Sequence, residues 1–276
     1  MSIVWGVAVL VAVNVATIAA MLVVRRRSPE GGYFSDGDRA SGVFGVLAGG
    51  FAIFAGFIIF LAFASYDQSR TGGESEALTV VQQFETAEFL PAAVNDRLGG
   101  ELVCYGRSVV HQEWPQMEEG TGGDAINPWS VGLFRSLRLV DPDGAKEEAA
   151  FGKWLDQTSD REEGRRDRLH GAEGIIPGSI WLVLFLIAGV IFVYMLFFAD
   201  SGERAVSQAM LMGSATTVIV LTLAAIHALN GPYRPGMGQI TPIAMERSLR
   251  ILDSARAILD ETAPLPCDAR GAPVSS

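Results

Sequence analysis

The sequence predicts an all-α, polytopic membrane protein with four transmembrane helices and a helical soluble insert between helices two and three. Four long apolar runs carry this prediction, and none of them contains Asp, Glu, Lys or Arg. A hydrocarbon core about 30 Å thick needs about 20 helical residues. Barrel strands would be about ten residues long with alternating polarity, whereas these runs are longer and apolar throughout. They cover roughly residues 3–24, 43–65, 180–198 and 206–229.

The polar residues concentrate in one long segment between the second and third runs. This segment, 66–178, spans 113 residues and holds 21 acidic and 11 basic side chains. Such an acidic balance argues against nucleic acid as a partner, because phosphate binding needs a basic footprint. We therefore expect a first transmembrane helix pair in 1–65, a soluble helical insert in 66–178, a second transmembrane pair in 179–229, an amphipathic helical tail in 230–262 and a disordered C-terminus in 263–276.

The insert and the tail both carry helical patterns. Leu98, Leu102, Tyr105 and Val109 recur at close to 3.6 residues, and no convincing two-residue period is present. The second span has few residues that would stop a helix after it leaves the membrane, apart from the glycine pair at 72–73. We expect an antiparallel helical bundle in the insert, with a weak point in the second helix at that pair.

The arginine distribution gives an orientation in the membrane. Four arginines lie in the short first loop, at 25–27 and at 39. Basic residues in short loops stay cytoplasmic, and the first helix usually dominates. We therefore expect the insert and both termini outside the cytoplasm in a multi-pass bacterial plasma membrane protein. The four arginines between 161 and 168, just before span three, argue for the opposite orientation.

Small residues form a heptad-like seam along the second span. Their spacings are 3, 4, 3 and 4, which places them on one side of a helix. A seam of this kind lets another transmembrane helix approach closely. The residues are Gly42, Gly45, Gly49, Ala52 and Gly56.

Large apolar residues share a different face of the same span. Phe51, Phe54, Ile58 and Leu61 would form a hydrophobic constriction if several copies of the helix surrounded one axis, because such a ring gates by dewetting. Contact with lipid or with neighbouring helices explains the same pattern. Both interpretations stay open on periodicity alone.

The two cysteines, Cys104 and Cys267, lie on the same side of the membrane, because two spans separate them. A disulfide between them forms if that side is oxidising; two unrelated thiols are the alternative. Their spacing fits no metal motif. The chain also lacks a phosphate-binding loop and a nucleophile elbow. We therefore expect no enzymatic activity, no metal and no cofactor.

Several sequence blocks resemble the DUF4239 or bestrophin-like domain family of bacterial membrane proteins. The order of two spans, a helical insert, two spans and a helical tail also resembles this family, over nearly the whole chain. The blocks are GVFG at 42–45, FASYD at 63–67, ESEA at 74–77, RSVV at 107–110, EWP at 113–115 and RRDRL at 165–169, continuing to Pro177 and Trp181.

The resemblance implies a distant relation to bestrophins, which are pentameric anion channels whose second span lines the pore. On that relation the pore candidates are Phe51, Phe54, Ile58 and Leu61. The chain shows no bestrophin-like acidic cluster in its tail that would bind calcium. The bestrophin insert is cytoplasmic, which conflicts with the orientation favoured by the arginines.

Three functional hypotheses follow from these observations. The first is an oligomeric, bestrophin-like ion channel, in which the chain meets the lipid bilayer and further copies of itself. The second is a non-conducting accessory or scaffold subunit of a membrane complex, whose insert docks a partner. The third is a sensor whose insert responds to conditions outside the cell.

Overall fold

The computed structural model describes residues 3–121, 126–236, 238–260 and 263–274, and these residues are mainly α-helical. Within the described ranges there is no β-strand, only an isolated bridge between Cys267 and Pro273. The all-α fold class is therefore confirmed. The helices are α1 (Ile3–Arg25), α2 (Gly37–Ala87), α3 (Ala92–Ser108), α4 (Trp114–Glu118), α5 (Pro128–Leu137), α6 (Ala145–His170), α7 (Gly178–Phe197), α8 (Ala205–Leu229) and α9 (Ile243–Ile258), with a π-helical turn at Val109–Glu113 between α3 and α4.

Four of these helices are long and apolar enough to cross a membrane: α1, α2, α7 and α8. Each contains one of the apolar runs, apart from the last residue of the third run, which follows the end of α7. The helix α2 is exceptional, because it extends for 51 residues without interruption. It contributes residues to both of the compact units into which the chain divides.

The first unit comprises residues up to 64 together with 175–230 and 235–238. Its helices α1 and α8 are joined by side-chain hydrogen bonds, as is common between transmembrane helices. Thr17 and Thr216 hydroxyls lie 3.1 Å apart, and the Thr217 hydroxyl donates to Asn14 Oδ1 over 3.3 Å. A separate apolar cluster joins α2 to α7 and α8.

The second unit comprises 65–174, 231–234 and the described residues from 239 onward. One apolar cluster fills it and draws on every helix from α2 to α6 as well as α9. The helix of the predicted tail, α9, thus belongs to the same compact unit as the insert. Its Ser248 hydroxyl donates to the Ala77 carbonyl of α2 over 2.6 Å.

The glycine pair in α2 marks a helix crossing and not a weak point. A Cβ added at Gly72 would lie 2.6 Å from the Arg168 backbone nitrogen, and one added at Gly164 would lie 2.8 Å from the Glu76 nitrogen. The two helices α2 and α6 therefore meet backbone to backbone, which only glycine permits. The expectation that the second span continues into the soluble part as one long helix is confirmed. The expected weak point at 72–73 is instead a place where the backbone of α6 packs against α2.

The segment predicted to be disordered is docked on the insert over its described residues, 263–274. A disulfide joins Cys104 of α3 to Cys267, with 5.7 Å between the Cα atoms. The Trp129 indole donates to the Gly271 carbonyl over 2.7 Å. Gly271 has a φ of +78°, and an added Cβ would clash with the backbone of Ser108. The segment is ordered because a disulfide and close backbone packing hold it against the insert. Its composition alone predicts disorder. Residues 275–276 lie outside the described residues.

Candidate functional site

The helix α2 presents an uncovered face within the first unit. Ile53, Phe57 and Leu61 are 78%, 59% and 42% exposed. They recur every four residues, so that they follow one side of the helix with a drift of about 40° per step. We call these three residues the apolar ridge. No described residue of the protomer covers these three side chains, so that they are free to face lipid or another copy of the chain.

The small-residue seam lies beside the apolar ridge, centred about 100° away around the helix axis. Its five residues are all exposed. A Cβ added at any of its four glycines would meet no atom within 4 Å among the described residues. The seam therefore has open space in front of it, enough for the backbone of another helix. The seam residues are those of the sequence analysis: Gly42, Gly45, Gly49, Ala52 and Gly56.

The structure separates the four sequence-derived pore candidates. Phe51 and Ile58 are each only 6% exposed and pack in the apolar cluster with α7 and α8. Phe54 is half-buried at the edge of that cluster. Of the four, Leu61 alone lies on the uncovered face of α2. Periodicity identified a genuine helix face, but it did not indicate which face the other helices of the same protomer cover.

The second unit holds a buried charge cluster on the continuation of α2. Arg168 of α6 donates from Nε and Nη2 to the two carboxylate oxygens of Glu76, with the second contact at 3.0 Å. The same Nη2 donates to Glu113 Oε2 over 2.7 Å. The side chains of Arg168 and Glu76 are both fully buried. We call Glu76, Glu113 and Arg168 the buried charge cluster.

Neutral side chains complete the hydrogen bonding of this cluster. The Tyr105 hydroxyl donates to Glu76 Oε1, and Asn127 Nδ2 donates to Glu113 Oε1 over 2.7 Å. The Tyr233 hydroxyl donates to the Arg168 carbonyl over 2.6 Å. A buried ion pair is tolerated when its remaining lone pairs and protons find partners in this way.

The charges of the cluster shift one another's ionisation. Burial alone would raise the pKa of Glu113, but Arg168 and then Arg165 hold that pKa below its usual range. Burial alone would lower the pKa of Arg168, but Glu76 and Glu113 hold it well above its usual value. Burial, followed by the charge of Glu76, raises the pKa of Tyr105 well above its usual value. Glu113 is thus held as a carboxylate facing guanidinium groups, and Tyr105 stays protonated beside them.

Sequence reasoning missed the buried charge cluster. It used the arginines of α6 for membrane orientation and for the family resemblance, although Arg161, Arg165 and Arg168 are spaced 4 and 3 apart, as residues on one helix face are. The apolar residues of α6 did not indicate that this charged face is also packed inward. Within the described residues, no group of three or more His, Cys, Asp or Glu side chains could hold a metal ion.

A family model described as the Bestrophin-like domain matches residues 7–245. The chain belongs to the Bestrophin-like family. The match covers the insert, three of the apolar helices in full and α1 from residue 7 onward, and it confirms the bestrophin-like resemblance of the sequence blocks. A search of curated proteins found no match to the chain.

Solved structures share the fold of this Bestrophin-like chain. One single-substitution variant of a bacterial bestrophin homologue from Klebsiella pneumoniae is 13% identical with a TM-score of 0.68, covering 88% of this chain and 98% of that chain. Another variant of the same homologue is 14% identical with a TM-score of 0.66, covering 94% and 98%. A third structure, named as a membrane protein, is 14% identical with a TM-score of 0.64, covering 95% and 99%. At these identities the likeness concerns the fold alone.

Proposed function

We propose that this membrane protein is the subunit of a homo-oligomeric ion channel, in which the apolar ridge of α2 faces the conduction path. One observation carries the proposal: the ridge is uncovered on a helix whose other side packs against α7 and α8. Rings of Ile53, Phe57 and Leu61 around an axis would form a hydrophobic constriction that gates by dewetting. The family relation to bestrophins supports anions as the conducted ions.

The small-residue seam supports the oligomeric part of this proposal. Copies of α2 around an axis must approach one another closely if they are to enclose a narrow path. Small residues allow such approach, and the four glycines of the seam have open space in front of them. With the ridge facing the axis, the seam, about 100° away around the helix, faces the neighbouring copy of α2.

Planar bilayers containing the purified protein test the proposal. We expect ion currents from the unaltered chain, and a several-fold larger conductance from Ile53→Thr and from Phe57→Ala, because both changes make the constriction easier to wet. Leu186→Ala on α7 is the matched control, since Leu186 is also exposed and apolar but lies on a different helix. Its conductance should stay unchanged. Absence of current, or equal effects of the control and the ridge variants, would reject the channel.

The disulfide supports the orientation in which the insert and both termini lie outside the cytoplasm. Disulfides persist in oxidising compartments and are rare in the cytosol. Cys104 and Cys267 both belong to the second unit, and the arginine-rich first loop would then be cytoplasmic. A reporter that is active only in the cytoplasm, fused after the last residue, should stay silent. An active reporter would show that the C-terminus lies in the cytoplasm and would contradict the proposed orientation.

A non-conducting scaffold is the second candidate function. The insert exposes apolar side chains that would suit a docked partner, among them Ile126, Phe134 and Leu139. Mass measurement in detergent separates the two candidates at low cost, because a monomer cannot enclose a pore between copies of α2. A monomer that also gives no current would favour the scaffold.

A further inference from the structure

A cavity of about 360 Å³ lies within the second unit, near the start of its portion of α2. Its walls come from four parts of the chain: Tyr66 and Arg70 from α2, Trp114 from α4, the segment 239–241, and Arg247 from α9. Its volume is in the range of small-molecule sites. Charged and aromatic residues line it together.

The charges in this cavity favour an anion. Arg70 and Arg247 contribute two positive charges, and Glu74 contributes one negative charge. Arg70 contacts Glu74 over 3.1 Å, but the side chains are 56% and 55% exposed. An exposed pair of this kind contributes little free energy, so that Arg70 can exchange this partner for an incoming anion. Arg247 is exposed on a different helix and adds a second guanidinium.

The aromatic walls favour a ligand with an apolar ring. The Trp114 indole donates its N–H to the Ile240 carbonyl over 3.4 Å and is only 4% exposed, with Arg168 over its ring and Tyr233 against it. Trp114 therefore presents little of its ring to the cavity, and the half-buried Tyr66 supplies the accessible aromatic ring. Gly73 adds a wall without a side chain, and an added Cβ there would make only ordinary contacts, the nearest at 3.5 Å. The site therefore combines cationic groups with flat apolar surface.

We propose that this cavity binds a small aromatic carboxylate, with the carboxylate held by Arg70 and Arg247 and the ring packed on Tyr66. Guanidinium groups pair with carboxylates through two parallel, charge-assisted hydrogen bonds. Ion conduction does not need this site, which would make the second unit a receptor for a ligand. Binding of a ligand in this cavity is independent of ion conduction, so that either property can be present without the other.

Calorimetric titration of the purified full-length protein in detergent tests the site. The probes are benzoate, its neutral analogue benzamide, and inorganic phosphate. We expect benzoate to bind at least tenfold more tightly than either of the other two, because benzamide lacks the charge and phosphate lacks the ring. Equal affinity for benzamide or phosphate, or no binding of benzoate at millimolar concentration, would overturn the proposal.

Single substitutions locate the site. Arg247→Gln and Arg70→Gln should each weaken benzoate binding about tenfold or more, because each removes charge-assisted hydrogen bonds. Arg250→Gln is the matched control, since Arg250 is exposed on the same helix as Arg247 but does not line the cavity. Thr241→Trp should abolish binding by filling the cavity. Equal weakening by the Arg250 and Arg247 variants, or full binding by the Thr241 variant, would contradict the assigned position.

Discussion

Arg168 binds both carboxylate oxygens of Glu76, and neither side chain has any exposure to solvent. The pair joins α6 to the part of α2 that belongs to the second unit. Next to the pair, Gly72 and Gly164 bring the two helix backbones into direct contact. Electrostatics and close packing thus fix the same helix crossing.

Removing one partner of this pair should strongly destabilise the protein. Glu76→Gln leaves the Arg168 charge buried without its main counter-ion, and breaking a buried pair costs about 3–5 kcal/mol. Glu74→Gln is the control, because Glu74 belongs to an exposed pair that contributes about 0–1 kcal/mol. Thermal unfolding in detergent, followed by circular dichroism, measures both. Similar unfolding temperatures for the two variants would contradict a stabilising role for the buried contact.

The stability of the second unit should fall at acidic pH through Glu113. Its folded-state pKa lies below the usual value of 4.5, because Arg168 and Arg165 outweigh the effect of burial. A carboxylate with a lowered pKa contributes stability that is present above the unfolded-state pKa and is lost as the pH falls through the folded-state pKa. The unfolding temperature should therefore drop as the pH falls below 4.5, and Glu113→Gln should flatten that part of the profile. If the unfolding temperature of this variant falls equally steeply with pH, other carboxylates cause the loss of stability at acidic pH.

Substitution of Gly164 should destabilise the helix crossing. In Gly164→Ala the new Cβ would lie 2.8 Å from the Glu76 nitrogen, and overpacking of this kind costs about 1–3 kcal/mol. Gly152→Ala on the same helix meets nothing within 4 Å, so the higher helix propensity of alanine should stabilise it by up to about 1 kcal/mol. Denaturant or thermal unfolding should therefore move in opposite directions for the two variants. Equal shifts would argue against backbone contact at this crossing.

Loss of the disulfide should release the C-terminal segment. Cys104 and Cys267 are separated by 163 residues, and removing a disulfide costs about 2–5 kcal/mol. Cys104→Ser should therefore lower the unfolding temperature and make the chain beyond residue 263 sensitive to protease. Intact mass before and after reduction and alkylation counts the free thiols. Two free thiols in the unreduced protein would show that the bond does not form.

Gly49→Leu should prevent assembly without unfolding the protomer. A Cβ at Gly49 meets nothing within 4 Å in its own chain, so the larger side chain is accommodated until a second helix must approach. Gly189→Leu on α7 is the control, because Gly189 has similarly open surroundings and lies outside the seam. Light scattering and native mass measurement should report smaller particles for the Gly49 variant only. Unchanged assembly would place the subunit contact elsewhere.

The all-helical fold class and the location in a membrane follow from the sequence, because both depend on the length and polarity of continuous stretches of the chain. Run length and the absence of charge identified the helices long and apolar enough to span a membrane. Blocks such as EWP at 113–115 and RRDRL at 165–169 indicated the family. The same blocks contain Glu113 and Arg168, but their role was not visible in the sequence, because the counter-ion Glu76 lies 92 residues from Arg168 along the chain.

The tertiary structure decided which residues of α2 are covered and what becomes of the C-terminal segment. Phe51 and Ile58 are of the same residue types as Phe57 and Ile53 of the apolar ridge, and only the positions of α7 and α8 distinguish the buried pair from the exposed one. Likewise, the pairing of Cys104 with Cys267 depends on contacts between distant parts of the chain. Periodicity fixes the direction in which a side chain points from its own helix. Whether that side chain is buried, forms a disulfide or meets a counter-ion depends on which other helices pack against it.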